Sequence, residues 1–187
     1  FNTFFRWLKI VYFFLTVSKC KSMASSLKFT EEQLNYLKVC LIVTDELAGG
    51  LREIFKREWD NRFKATVGEW KDEPKNGMDF WNRESLRNRK RSAVLWKTII
   101  NGNRAEWNCT TLFYAILYSD CIHSLNPVVR SNVDSLRRFR NEKFSHNPRG
   151  YLSSVDFQKA ILEIITAFHA LGLPAQNIRE IANKTIF

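Results

Sequence analysis

The sequence of 187 residues contains few of the residues that interrupt regular secondary structure, with seven glycines and four prolines. It also contains no internal repeat and no low-complexity tract. Because glycine and proline mark the frequent turns of strand-rich folds, their scarcity favours long helices. A composition of 45% hydrophobic and 26% charged residues fits one globular domain. We therefore predict an all-α fold.

Cysteine and histidine are also scarce, with four and three copies. The cysteines (Cys20, Cys40, Cys109 and Cys121) form no CxxC pair and no framework typical of secreted proteins. Cys40 and Cys109 lie in apolar helical patterns, which indicates buried free thiols in a reducing compartment. Cys121 and His123 are a weak pair for zinc, since the other ligands would have to converge from distant positions. We expect no metal, no cofactor and a cytoplasmic location.

An apolar run opens the chain from Phe1 to Val17, but Arg6 and Lys9 interrupt it. A membrane-spanning helix needs about 20 apolar residues, so this run is too short and too charged for a clean span. It is interpreted as a signal-peptide core, the tail of a truncated transmembrane segment, or sequence foreign to the native protein. Because Met23-Ala24-Ser25-Ser26 resembles a natural start, we exclude residues 1–25 from the fold. Membrane or secretory targeting stays open only through this segment.

The predicted domain, residues 26–187, begins with a capping box at Thr30-Glu31-Glu32-Gln33. Helical spacing of apolar residues then predicts a long first helix with an inner face of Leu34, Leu37, Leu41, Leu47, Leu51, Phe55 and Trp59. Gly49-Gly50 inside it marks either a break or a close helix contact. A polar connection over about 64–79 leads to an amphipathic helix over about 84–101.

Four further helices are predicted in the second half. Residues 109–119 are apolar nearly all round, which places their helix at the centre of a bundle. Asn126-Pro127 is typical of a helix start, and Asn147-Pro148 has to end that helix. Ser153 or Ser154 caps the next helix, whose buried face is Phe157, Ile161, Ile164, Phe168 and Leu171. With a short helix over about 175–183, the bundle has about five to six helices.

The net charge of +10 is concentrated in two windows of the sequence. Residues 83–104 carry +6 and residues 130–149 carry +4, so the rest of the chain is neutral. Clustered cations attract polyanions and bind phosphates in a salt-dependent way, although a solvated basic face shows the same pattern. The candidate RNA-binding residues are Arg87, Arg89, Lys90, Arg91, Arg137, Arg138, Lys143 and Arg149.

A cation interrupts the apolar stripe of the helix that starts at Pro127. Arg140 lies on the same helical face as Leu136 and Phe144, where a charge needs a carboxylate, a phosphate or a partner chain. A structural ion pair is the simpler explanation from spacing alone. Asp120 is the candidate partner because it is the first carboxylate after the apolar run over 109–119. A surface position at a helix end is the alternative for Asp120.

His146 lies six residues after Arg140, about 120 degrees away around an ideal helix. One chain aims both side chains at a common point only if the helix distorts near its end, whereas two packed copies bring two of each into one cleft. That arrangement suits RNA cleavage without a metal. The imidazole transfers a proton while Arg140 and Asn141 stabilise the charge on the phosphorane.

The segment from Arg140 to His146, RNEKFSH, resembles the R-polar-x4-6-H motif of HEPN (higher eukaryotes and prokaryotes nucleotide-binding) domains. Its setting is more specific than the motif and comprises LKVCLIVTDELAGGLREIFKREWDNRF, EWNCTTLFYAILYSD, LRRFRNEKFSH, LSSVDFQKAI and ALGLP. Over about residues 28–187, these segments are similar to the DZIP-like HEPN subtype, found in the DAZ-interacting RNA-binding ubiquitin ligase and its animal relatives.

The resemblance implies an all-α bundle, usually a homodimer, with the motif helices at the dimer interface. In active members it implies a metal-independent endoribonuclease, with Arg140, Asn141 and His146 at the motif positions; Asp120 is not part of the motif. Ubiquitin transfer is not implied, because this chain lacks the Cys/His spacing of a RING finger. Three functions remain open: a ribonuclease acting on single-stranded RNA, a non-catalytic RNA binder, and a dimerisation or protein-interaction module of a regulatory or innate-immune protein.

Overall fold

The computed structural model describes residues 29–144 and 150–184, and within these ranges the chain is helical, with no strand. The α-helices are α1 (Glu31–Leu41), α2 (Ala48–Phe63), α3 (Pro74–Arg83), α4 (Leu86–Arg91), α5 (Ala93–Ile99), α6 (Cys109–Leu117), α7 (Pro127–Phe139), α8 (Ser154–Ala170) and α9 (Gln176–Asn183). The first π-helical turn (Ile42–Leu47) follows α1, the second (Arg140–Phe144) follows α7, and a 3-10 turn spans Arg104–Glu106. The prediction of an all-α fold is confirmed.

α1, the first π-helical turn and α2 form one continuous helical run, as the capping box and spacing predicted. The Thr30 hydroxyl accepts from the Gln33 amide at 3.3 Å, and the Gln33 side chain accepts from the Thr30 amide at 2.9 Å. These two bonds satisfy donors that the first turn of a helix leaves without partners.

The predicted inner face is wrong in α1. Leu34, Leu37 and Leu41 are only partly buried, and the buried residues are Asn35, Tyr36 and Val39. The first π-helical turn is the physical reason, because a π-helical turn holds more residues than an α-helical one. It offsets the buried stripe of α1 by about one residue from that of α2, where Leu51, Phe55 and Trp59 are buried as predicted.

Gly49-Gly50 does not break α2, and at Gly50 the explanation is a close helix contact. A Cβ atom on Gly50 would lie 2.9 Å from Leu173 Cδ1 and 3.0 Å from Phe168 Cζ. The same atom on Gly49 would meet nothing within 4 Å. Glycine at position 50 therefore allows the end of α8 to approach the backbone of α2.

The region between α2 and α6 differs from its prediction in two ways. The connection predicted over 64–79 ends earlier, because α3 begins at Pro74 and the Asn76 side chain accepts from the Glu73 amide at 3.3 Å. The helix predicted over 84–101 is two helices, α4 and α5. Ser92 separates them, with φ −114° and ψ 28° outside the helical range.

An aromatic cluster fills the interior between α2, α3 and the segment that precedes α6. Phe55 lies at its centre, with ring centroids 4.7 Å from Trp70, 4.9 Å from Trp107 and 5.5 Å from Phe80. The rings of Trp70 and Trp107 meet that of Phe55 edge to face, the arrangement that aromatic pairs favour. This cluster anchors the segment from which α6 starts.

The second half of the bundle follows its prediction. Every residue over 111–117 is buried, and α6 packs against α2 and α7. The Asn126 side chain accepts from the Val128 amide at 2.8 Å ahead of α7, and Ser153 caps α8 by accepting from the Asp156 amide at 3.1 Å. α8 packs against α7 and α1, and α9 packs against α1 and α8. The predicted helix end at Asn147-Pro148 lies outside the described residues.

The described cysteines are free thiols that are removed from solvent to different degrees. Cys109 and Cys121 are buried, while Cys40 is only partly buried. Burial raises the pKa of Cys109 to about 11 and the pKa values of Cys40 and Cys121 to about 12. These thiols are therefore protonated at neutral pH and do not supply a thiolate nucleophile.

No helix over residues 29–144 or 150–184 combines the length and the apolar character that crossing a bilayer would require. The apolar run over 1–17, Cys20 and the proposed domain start at residue 26 lie outside the described residues.

Candidate nucleic-acid interface

A cavity of about 280 Å³ lies where α5, α6 and the end of α7 meet, and we refer to it as the α6 cavity. Its lining combines aromatic and aliphatic side chains with cations and an amide: Leu95, Thr110, Phe113, Tyr114, Tyr118, Arg137, Arg140 and Asn141. It brings together three residues that the sequence predicted as functional, namely Arg137, Arg140 and Asn141. A cavity with an apolar wall and a few convergent polar groups is the usual form of a binding site.

Arg140 is the first residue of the second π-helical turn. α7 directs Val133, Leu136 and Phe139 into the core, so the buried stripe passes through Phe139 and Arg140 stands partly buried at its edge. Its Nη1 donates to Asn141 Oδ1 at 3.0 Å. The helix is thus distorted at the motif, and the change from α to π geometry begins at the motif arginine.

Asp120 does not form the expected pair with Arg140. The amide of Asp120 donates to Glu84 Oε1 at 3.0 Å, and its carbonyl lies 2.7 Å from His123 Nδ1. These contacts hold the backbone after α6 in a turn that leaves Asp120 exposed. Among the ion pairs of the described residues, none joins this carboxylate to Arg140, and the exposed position after α6 fits the alternative of a surface residue at a helix end.

Glu84 is the buried acid that organises the end of α6. In the sequence it stands out only as the one negative charge of the basic window over 83–104. The residue as a whole is 2% exposed. Oε2 accepts from Ser119 Oγ at 2.7 Å, and Oε1 accepts from Asn88 Nδ2 at 3.1 Å in addition to the Asp120 amide. Glu84 therefore joins the start of α4 to the turn that follows α6.

The basic helix α4 lies beside the exposed end of α6. Asn88 Nδ2 donates to the carbonyl of Tyr118 at 3.0 Å, which places α4 next to a residue of the α6 cavity. Three of the predicted RNA-binding cations on α4, Arg87, Lys90 and Arg91, are exposed.

Arg89 differs from the other cations of α4. Its guanidinium lies over the Trp81 ring, 4.9 Å from the centroid, and the Trp81 ring meets Trp96 edge to face at 5.2 Å. A cation stacked on an indole in this way stabilises local packing. Arg89 is therefore a packing residue that fixes α4 on α3.

The predicted cations of α7 divide between two surfaces. Arg137 lines the α6 cavity, with its Nε donating to Asp134 Oδ1 at 2.8 Å. Arg138 pairs with the same carboxylate at 3.3 Å but lines a separate cavity of about 180 Å³ with Ser135, Phe139, Glu142 and Glu163. Arg137 and Arg138 thus line different cavities.

Three other predicted residues are Lys143, His146 and Arg149. Lys143 belongs to the second π-helical turn, whereas His146 and Arg149 lie outside the described residues. Over the described ranges, no three His, Cys, Asp or Glu side chains are grouped closely enough to hold a metal ion.

The aromatic side of the α6 cavity was not predicted as functional. Tyr118 is 52% exposed, whereas Phe113 and Tyr114 are 3% and 7% exposed. The apolar pattern over 109–119 predicted a buried central helix along its whole length. The sequence does contain a signal for an exposed aromatic residue. Tyr118 follows Tyr114 by four residues on the same helical face, at the point where the apolar run ends in Ser119-Asp120.

Comparison of the chain with protein-family models, with curated proteins and with solved structures gave no match. The resemblance to HEPN domains thus rests on the sequence segments alone.

Proposed function

We propose that this protein is a HEPN-type RNA-binding domain, with metal-independent cleavage of single-stranded RNA as its candidate activity. The observation that carries the proposal is the position of Arg140 and Asn141, which stand together in the wall of the α6 cavity beside Arg137 and Tyr118. A guanidinium pair and an amide supply hydrogen-bond donors for phosphate, and an aromatic ring supplies a surface for a base.

The two basic windows of the sequence support the same conclusion. The first window reaches the α6 cavity through the contact between α4 and Tyr118, and the second reaches it through Arg137 and Arg140. A strand of RNA lying along this surface would meet cations from both windows. Phosphate contacts of this kind make affinity fall steeply with rising salt concentration.

Cleavage would require His146 together with the motif arginine and asparagine. The imidazole of His146 removes the proton of a ribose 2'-OH, and the 2'-oxygen attacks the adjacent phosphorus. The bond from phosphorus to the 5'-oxygen then breaks as that oxygen takes up a proton, which leaves a 2',3'-cyclic phosphate and a 5'-hydroxyl. Arg140 and Asn141 stabilise the additional negative charge on the phosphorus oxygens.

A homodimer supplies the second proton-transfer group. Each chain contains one motif histidine, whereas the reaction removes one proton and delivers another. Two copies packed along their motif helices would place two His146 side chains in one cleft, one acting as base and one as acid. The proposal therefore predicts that cleavage and self-association occur together.

The test compares wild type with His146→Ala on a labelled single-stranded RNA in EDTA, with the molar mass of each protein measured in the same buffer. His169→Ala is the matched control, because His169 is an exposed histidine of α8 whose Nε2 lies 3.1 Å from Arg179 Nη2. We expect a dimer, EDTA-resistant products ending in 2',3'-cyclic phosphate, and loss of these products in His146→Ala alone.

Other outcomes separate the remaining functions. RNA binding that weakens with salt and survives His146→Ala, without any cleavage, leaves an RNA binder and removes the nuclease. Absence of both binding and cleavage, with Arg140→Ala changing self-association, identifies a protein-interaction module and overturns the proposal.

A further inference from the structure

We infer that the α6 cavity receives one unpaired nucleobase of single-stranded RNA, stacked on the ring of Tyr118, while the neighbouring arginines hold an adjacent phosphate. This inference rests on the proposed function and specifies the form of RNA that the site takes.

Tyr118 is a large aromatic residue that the fold leaves half exposed at a position with little freedom. Its amide donates to the Tyr114 carbonyl at 3.0 Å, and its own carbonyl accepts from Asn88 at 3.0 Å. The next residue, Ser119, is buried and donates to Glu84 at 2.7 Å. The backbone under the ring is therefore held by both α4 and α6, which reduces the entropy lost on binding.

The chemistry of the lining separates the part that suits a base from the part that suits a phosphate. Leu95, Phe113 and Tyr114 add apolar surface beside Tyr118, which suits the flat face of a base. Arg137 and Arg140 provide cationic N–H donors in the same cavity, which suit phosphate oxygens. Thr110 and Asn141 bring a hydroxyl and an amide that can bond the polar edge of a base.

The size of the cavity argues for a single unpaired base. At about 280 Å³, it lies at the lower limit of small-molecule pockets, which span about 300–1,000 Å³. This volume admits one base but not a stacked pair of strands. In duplex RNA the faces of the bases are stacked on one another, so a protein reaches only the backbone and the shallow groove. The site should therefore discriminate against duplex.

The test measures the binding of wild type to a 2'-O-methyl RNA strand, which cannot be cleaved through its blocked 2'-oxygen. The same strand annealed to its complement and a free mononucleotide are the other two ligands. We expect the single strand to bind more tightly than the duplex, and more tightly than the mononucleotide because the strand also meets α4. Equal or tighter binding of the duplex would overturn the inference. Tighter binding of the mononucleotide would also overturn it, because the ligand would then be a free nucleotide and not an RNA strand.

Two substitutions separate ring stacking from apolar volume. Tyr118→Phe keeps the ring and should bind the single strand as wild type does. Tyr118→Leu keeps an apolar side chain without the ring and should weaken affinity by about 5- to 150-fold, the effect of losing one stacked base. The slope of log affinity against log salt should stay unchanged, because no phosphate contact is lost. Leu162→Ala, at a residue of α8 that is 66% exposed, is the control.

Arg140→Ala distinguishes failure of the inference from failure of the proposed function. This variant should weaken binding and reduce the salt slope by about 1. If Arg140→Ala behaves so while Tyr118→Leu binds like wild type, RNA binding stands and the base site is refuted. A loss shared equally by Tyr118→Phe and Tyr118→Leu also refutes stacking. If wild type binds no RNA, both proposals fail. Thermal unfolding of each variant identifies effects that come only from loss of folding.

Discussion

Replacing Asp72 with asparagine should lower the free energy of unfolding by about 2–3 kcal/mol at pH 7, because it removes the anion that holds a buried arginine. Arg104 is 8% exposed, and its Nε and Nη2 donate to the two carboxylate oxygens of Asp72 at 2.7 and 2.8 Å. The Arg104 amide and Trp70 Nε1 donate to the same carboxylate at 3.0 Å. The Asp72 carboxylate therefore accepts hydrogen bonds from four N–H donors at the edge of the aromatic cluster.

The expected magnitude follows from burial on the two sides of this pair. Removing one partner of a fully buried pair costs about 3–5 kcal/mol. The Asp72 side chain is 36% exposed, so water can replace part of the hydrogen bonding that Arg104 loses with the carboxylate. The expected loss of about 2–3 kcal/mol therefore lies at or below the lower end of that range. Asparagine retains one oxygen acceptor and tolerates the left-handed backbone of Asp72, at φ +62°, so the substitution adds no backbone strain.

Thermal and urea unfolding of wild type, Asp72→Asn, Arg104→Met and the double variant form the assay. A loss of 2–3 kcal/mol corresponds to a melting temperature lower by about 4–12 °C for a chain of this size. The cost arises because the buried cation keeps, among the described residues, only the exposed Glu53 carboxylate, 3.8 Å from Arg104 Nη1, as an ion-pair partner. Asp72→Asn should therefore destabilise Arg104→Met less than it destabilises wild type. If Asp72→Asn unfolds within about 0.5 kcal/mol of wild type, or if the two changes add without coupling, the reasoning is refuted.

The pH dependence has a defined sign. Hydrogen bonding from Arg104 lowers the pKa of Asp72, so the native state binds fewer protons at this site than the unfolded chain. The stability that this shift contributes is present above the unfolded pKa, about 3.9, and is lost as the pH falls through the folded pKa. The difference between wild type and Asp72→Asn should therefore shrink below about pH 4. A difference that stays constant from pH 7 to pH 3 would contradict the role of the charge.

The remaining predictions concern the buried acid and the glycines. Glu84→Gln should lower the free energy of unfolding, measured in urea, by about 1–3 kcal/mol. The glutamine NH2 group would replace one of the two carboxylate oxygens that accept from Asn88, Ser119 and the Asp120 amide. An unchanged unfolding midpoint would refute this role. Gly49→Ala should raise stability by about 0.5–1 kcal/mol, since the helix position has open space. Gly77→Ala should prevent stable folding, because its Cβ would collide with the backbone of Ile100; a folded variant with wild-type circular dichroism would show that this contact yields.

Local signals in the sequence predicted most of the helices. The caps at Thr30, Asn126 and Ser153 were identified correctly because capping depends on residues close together in the chain. The buried face of α1 and the division into two helices at Ser92 were not predicted. A π-helical turn offsets the buried stripe by about one residue, and the composition around Ser92 is helical on both sides.

The candidate site was predicted only in part, for a related reason. Arg140, Asn141 and Arg137 were selected by charge and motif, and they do line one cavity. Their companions Leu95 and Tyr118 come from other helices, and nothing in the spacing of α7 specifies which side chains face it. Sequence order also singled out Asp120, whereas the buried acid near the end of α6 is Glu84, because proximity along the chain does not measure proximity in space.

The hydrogen-bond networks of Asp72 and Glu84 stabilise opposite ends of α6, and this asymmetry determines how each affects the proposed site. Asp72 and Arg104 fix the segment before α6, where Arg52 Nε also donates to the Arg104 carbonyl at 2.8 Å. Glu84 fixes the turn after α6, which carries Tyr118 and contacts α4. Loss of the Asp72 charge therefore lowers overall stability while leaving the α6 cavity formed in the folded population. Loss of the Glu84 charge loosens the turn that carries Tyr118. Under the proposed function, only that change should weaken RNA binding at a temperature where both variants are fully folded.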